Sequence, residues 1–154
     1  MANIAQSINV ISPLTTTEFG IVKQTTWWQL LLFGKYMQGH TVAVSVQCAE
    51  YEGPTAPSWI RDTIERPWLD VSATISDDRW VSMAVVNVNE NKNFETRLEE
   101  VGSVDVQVFR VTGQNVGVVN AESREEVGIQ ESRWNGKGLF SFSKHSLTLL
   151  RWKI

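Results

Sequence analysis

With 154 residues, 42% of them hydrophobic, the chain has material for one core and a small second unit. A net charge of −3 without a basic block argues against nucleic acid, which needs a Lys/Arg-rich footprint. The single cysteine, Cys48, excludes an intrachain disulfide, and no basic stretch followed by an apolar run reads as a signal peptide.

Residues 1–11, MANIAQSINVI, predict the end of a helix. Ile4, Ile8 and Ile11 recur at spacings of four and three, with Ala5 beside them. Pro13 closes that helix by disfavouring helical backbone at Ser12. Residues 15–20, TTTEFG, read as loop. GIVK, residues 20–23, is short and β-branched, as a buried strand would be.

Residues 24–39, QTTWWQLLLFGKYMQG, predict a second helix. Thr25 or Thr26 can cap its start, and Gly39 suits a left-handed stop. Trp27, Trp28, Leu30, Leu31, Leu32, Phe33, Tyr36 and Met37 cover most of its circumference, so something must surround it. It is too short, and too interrupted by Gln29 and Lys35, to span a membrane. Helix, strand, helix in 39 residues is the rhythm of an α/β layer. One strand makes no parallel sheet, because its backbone groups need neighbours on both sides. This part therefore reads as the last unit of a larger α/β domain.

After His40 the period changes to two. In TVAVSVQC, residues Val42, Val44, Val46 and Cys48 share a face. Residues 51–68 hold three of the four prolines and read as a long surface loop. LDVSATIS alternates, Asp77 and Asp78 make a turn, and RWVSMAVVNV returns as the second arm of a hairpin. NENKN is a further polar turn. FETRLE, VDVQVFRVT, GLFSFS and SLTLLRWK continue the alternation. The expected fold is mainly β, an antiparallel sandwich over residues 40–154.

Candidate chemistry is sparse. His40 and His145 belong to no cluster with metal-ligand spacing, and Cys48 lies on an apolar strand face. Asn89 to Asn93 carries side-chain oxygens but lacks the glycine and terminal acid of a calcium loop. No phosphate-binding glycine loop or nucleophile elbow is present. Hydrolases commonly use two carboxylates, yet the only acidic residue before position 50 is Glu18, in a polar loop. The other sixteen alternate with apolar positions or crowd into turns.

The segments MANIAQSINVISPL, IVKQTTWWQLLLFGKYMQG, WLDVSATIS, MAVVNVNE and SFSKHSLTLLRWKI together resemble the C-terminal part of a family 51 glycoside hydrolase, an α-L-arabinofuranosidase. The resemblance covers essentially the whole chain in order. Its most specific parts are the KQT-aromatic-aromatic segment and the A-Q-x-x-N-V run. It implies that residues 1–39 are the last units of a (β/α)₈ barrel and that residues 40–154 form a jelly-roll-like sandwich packed on it. Members retain configuration, using an acid/base glutamate and a nucleophile glutamate on earlier barrel strands. Glu18 matches neither motif, so the chain alone is expected to be inactive. One position carries over. Gln24 matches a glutamine at the end of the last barrel strand that hydrogen-bonds arabinose, whereas its neighbours Lys23 and Trp27 receive no role.

The resemblance implies an arabinofuranosyl-containing saccharide as ligand of the complete enzyme, the missing barrel as partner, and no cofactor. Self-association into a homo-oligomer is the further expectation if the helix at 24–39 lacks its barrel. Neither nucleic acid nor a membrane is expected. The other function class is a non-catalytic sandwich that binds sugar or a partner through Trp59, Trp68 and Trp134. The barrel-like KQT segment favours the enzyme, since a free binding module has no use for it.

Overall fold

The computed structural model describes residues 7–10, 12–52, 67–101 and 105–154. Its central strand is β10, Ser146–Lys153, buried along nearly its whole length. Leu147 and Leu149 point to one face, and Leu150 and Trp152 to the other. A strand apolar on both faces needs layers above and below it. β10 pairs antiparallel with β5, Trp80–Asn87, and with β7, Val106–Val111. β4, Leu69–Ile75, extends the sheet beyond β5, and β3, His40–Val42, lies outside β4. β8, Ile129–Trp134, closes the other edge, giving the order β3-β4-β5-β10-β7-β8.

Each face has its own core. On the first, Ala73, Met83, Val85, Val108, Leu150 and Trp152 meet Phe140 and Phe142. The two phenylalanines belong to β9, Leu139–Phe142, which pairs with β6, Phe94–Arg97, as a separate two-stranded sheet. On the second, Ala84, Phe109, Val111, Leu147 and Leu149 meet Trp28 and Leu32 of helix α1, Thr25–Tyr36. The chain is thus mainly β and antiparallel, as the alternation predicts, with six strands facing two.

Several sequence expectations need correction. β8, IQESRW, lies outside the strands that the alternation predicts. It is an edge strand with most side chains in water, so no apolar alternation marks it. TVAVSVQC pairs only as far as Val42. Residues 43–49 leave regular structure, although Val46 and Cys48 still pack against the first core. The loop expected at 15–20 is largely a hairpin: β1, Leu14–Thr17, pairs with β2, Gly20–Lys23, around Glu18 and Phe19. The Thr17 hydroxyl accepts from the Phe19 and Gly20 amides, which tightens the turn. β2 forms as expected but is not buried, and Ile21 is 65% exposed.

The expected first helix falls mostly on residues 1–6 and 11, outside the described residues. Residues 7–10 are not helical. Asn9 and Val10 have φ of 63° and 60°, and the Asn9 side chain accepts from the Thr16 amide and hydroxyl. An asparagine can adopt this backbone because its short amide bonds locally.

Helix α1 begins one residue earlier than a threonine cap would place it. Gln24 occupies the cap position, with no side-chain cap bond. At the other end the Met37 amide donates to Phe33 O (3.0 Å), Gln38 Nε2 donates to Gly34 O (2.7 Å), and Gly39 turns at φ +99°. Trp28 and Leu32, one turn apart, fill the second core. The opposite side keeps Leu30, Leu31 and Phe33 each more than a third exposed. The helix is apolar all round but covered on one side only.

That surface carries a prediction. Phe19, Ile21, Leu31 and Phe33 should make the isolated chain bind a hydrophobic dye or self-associate. Replacing Leu31 and Phe33 together by glutamine should weaken either effect. A monodisperse monomer with no dye fluorescence would count against this account of the surface.

Candidate functional site

Gln24 stands where β2 ends and α1 begins. Its backbone is extended, with φ −70° and ψ 167°. Its amide donates to Pro13 O at 2.8 Å, and its carbonyl accepts from the Trp27 amide at 3.0 Å. The half-buried side chain turns across the hairpin, where Nε2 donates to Thr15 Oγ1 at 3.1 Å. The amide has two N–H donors and an acceptor oxygen, and Thr15 uses one donor. The side chain is therefore available for more than capping the helix.

The neighbours divide by role. The Lys23 ammonium lies 5.1 Å from the Trp28 ring centroid, within cation–π range. Trp27 packs at the rim of the second core. Glu18 is exposed at the hairpin turn. Lys23 O accepts from Asn120 Nδ2 at 2.8 Å, a contact spanning 97 residues of chain. Sequence reasoning missed Asn120. GQNVGVVNAES looks like an ordinary polar loop, and nothing in it marks one asparagine as buried.

The other sequence candidates are engaged within the chain. His145 Nδ1 and Nε2 lie 3.2 Å and 3.0 Å from Glu90 O and Gly113 O, so the ring ties two loops together. His40 is exposed, 3.7 Å from Asp77. The Asn89 side chain accepts from the Asn91 and Lys92 amides, and Asn93 from Lys144, so these oxygens hold a turn. Among the described residues no cluster of three or more His, Cys, Asp or Glu is placed to hold a metal ion.

Trp134 packs edge-on against Phe140, and its Nε1 donates to Lys137 O at 3.1 Å. Trp68 packs edge-on against Tyr51. Both are half-buried, and neither stands clear of the chain as a stacking platform. Trp59 lies outside the described residues. At the C-terminal end of α1, the Tyr36 ring is stacked on Phe109, with Arg151 and Lys35 also against it. The hydrogen bond with the Tyr36 hydroxyl raises the Lys35 pKa.

A model of the α-L-arabinofuranosidase C-terminal domain matches residues 1–146. The chain is 57% identical over 153 residues to the probable α-L-arabinofuranosidase C of Aspergillus terreus. It is 53% identical to α-L-arabinofuranosidase C of Emericella nidulans. Both alignments take in 99% of this chain but 30% of the relative, so the chain spans less than a third of those proteins. Among solved structures, the arabinose complex of an α-L-arabinofuranosidase from Thermotoga maritima aligns with a TM-score of 0.82 at 20% identity, over 97% of this chain and 33% of that one. The family 51 enzyme from Thermotoga petrophila RKU-1 gives a TM-score of 0.80 at 20% identity, with the same coverage. At this identity the likeness establishes the fold alone.

Proposed function

The chain belongs to the α-L-arabinofuranosidase C-terminal domain family, and from that premise we propose that it serves as the C-terminal region of a family 51 α-L-arabinofuranosidase. The complete enzyme would release terminal non-reducing α-L-arabinofuranosyl residues from arabinose-containing polysaccharides, with retention. Residues 1–39 would be the closing units of a (β/α)₈ barrel and residues 40–154 the sandwich domain packed on it. The observation that carries this reading is the 57% identity maintained over 99% of the chain.

The local geometry supports the same reading. Barrel enzymes build their sites from the C-terminal ends of strands. Gln24 follows the last residue of β2, with its side chain free of the helix cap. α1 carries apolar residues on the side away from the sheet, where earlier barrel units would lie. The two carboxylates of a retaining glycosidase sit ~5–5.5 Å apart across the scissile bond. In this reading both come from outside these 154 residues. Gln24 would bond a hydroxyl of the sugar whose glycosidic bond is cleaved.

The test is arabinose release from an aryl arabinofuranoside. The full-length protein carrying this region should turn over, and the purified chain alone should not. Turnover by the chain alone that survives Glu18→Gln and tracks protein purity would overturn the reading.

A further inference from the structure

Asn120 lies in the segment between β7 and β8, far in sequence from Gln24, and is 5% exposed. Its side chain makes four hydrogen bonds. Nδ2 donates to Lys23 O at 2.8 Å and to Val127 O at 2.7 Å. Oδ1 accepts from the Glu126 amide at 2.9 Å and the Val127 amide at 2.8 Å. Both amide hydrogens and both oxygen lone pairs are used, so the group has one orientation that satisfies it. The segment is itself anchored, because Val118 and Val127 pack with the second core.

The carbonyl that Asn120 holds belongs to the peptide joining Lys23 to Gln24. That unit is planar, so fixing its oxygen also fixes the plane carrying Gln24 N and Cα. The same peptide is held from its other side, since Gln24 N donates to Pro13 O at 2.8 Å. The Gln24 side chain is steadied in turn by Thr15 Oγ1 at 3.1 Å. The origin of the Gln24 side chain is thus clamped between the hairpin and a segment of the sandwich.

We infer that Asn120 is a positioning residue for Gln24, through which the sandwich fixes the sugar-binding end of the last barrel strand. This rests on the reading of Gln24 given above. A displacement of about 1 Å in a group bonded to a reacting substrate can cost a hundredfold in rate, so such a clamp has work to do. The ordinary alternative is that Asn120 only folds its own segment, through Glu126 and Val127.

Asn120→Asp, in a cycle with Gln24→Ala, separates the two. It keeps an oxygen for the Glu126 and Val127 amides but loses the donors to both Lys23 O and Val127 O. In the full-length enzyme it should lower kcat/KM on an aryl arabinofuranoside about fivefold or more. Combined with Gln24→Ala, it should lower it little further, because the two act as one unit. Asn115→Ala serves as the control. It removes a turn contact in the same segment, the bond from the Gly117 amide, and should leave kcat/KM unchanged. If the buried charge of Asn120→Asp prevents folding, Asn120→Ala carries the same cycle. In this chain alone, amide exchange at Gln24 and Trp27 should rise in the variant.

Additive losses for the Asn120 and Gln24 substitutions would overturn the positioning role while leaving Gln24 in place. A variant with lower thermal stability but unchanged kcat/KM would do the same. A silent Gln24→Ala would instead bring down the reading of Gln24, and this inference with it.

Discussion

Gly39→Ala is expected to destabilise the chain by about 3 kcal/mol or more, which places it among the severe single substitutions. Two causes add. Gly39 sits at φ +99°, in the left-handed half of backbone space, where a side chain is strained. A Cβ there would also lie 2.2 Å from Ile75 O and 2.7 Å from Ser76 Cα, both backbone atoms at the end of β4. Neither can rotate away, and His40, the next residue, pairs with Ile75 in the β3–β4 ladder. The close approach exists because the chain leaves α1 and joins the sheet within four residues. Gly34→Ala provides the contrast. Gly34 lies inside the helix with open space around its Cβ position, so alanine there should stabilise by about 0.5–1 kcal/mol. Thermal or urea unfolding should show the opposite signs. For a chain of this length, 3 kcal/mol corresponds to a Tm fall of roughly 6–12 °C. A Gly39→Ala protein as stable as the parent would mean that the turn relaxes without cost.

The same glycine shows what was legible in the sequence. A glycine after an apolar helical run signals a stop, and the stop is there. The period of two after His40 likewise reads through to the sheet, most plainly in β4. There Leu69, Val71 and Ala73 turn to the first core and Asp70 and Ser72 to water, whereas β5, β7 and β10 are apolar on both faces because a core lies on each. β8 fails that test for a physical reason. An edge strand with Gln130, Glu131, Ser132 and Arg133 in water has no buried face to write into its composition. Residues 7–10 mislead in another way. The spacing of Ile4, Ile8 and Ile11 predicts helix there, but Asn9 takes a left-handed backbone and its side chain bonds Thr16 in the β1–β2 hairpin. That contact is set by a residue seven positions away, which no local period reports. The site divides similarly. Gln24 stands out through the KQT segment it belongs to, and the structure puts it at a strand–helix junction. Asn120 becomes visible only when the fold brings residues 23 and 120 together.

Gln24→Ala in the full-length enzyme should lower kcat/KM ~10-fold or more, the scale of one lost hydrogen bond to a reacting substrate. The amide can donate to one sugar hydroxyl and accept from another. Such bonds accelerate the reaction if they strengthen as the ring flattens toward the oxocarbenium-like transition state. The competing account is that Gln24 caps α1. A cap side chain would bond a first-turn amide, and Gln24 makes no such bond, reaching Thr15 instead. Loss of that half-buried contact should cost stability about 1 kcal/mol or less. Gln24→Glu sharpens the comparison, because its two effects have opposite signs. A carboxylate at the start of α1 interacts favourably with the helix dipole, by about 0.3–1 kcal/mol, so stability should hold or rise. The same carboxylate has lost the amide donors and would stand near the catalytic glutamates, so activity should fall further than with alanine. If instead Gln24→Ala lowered stability by more than 1 kcal/mol while kcat/KM held, the cap account would stand and Gln24 would leave the list of sugar-binding residues.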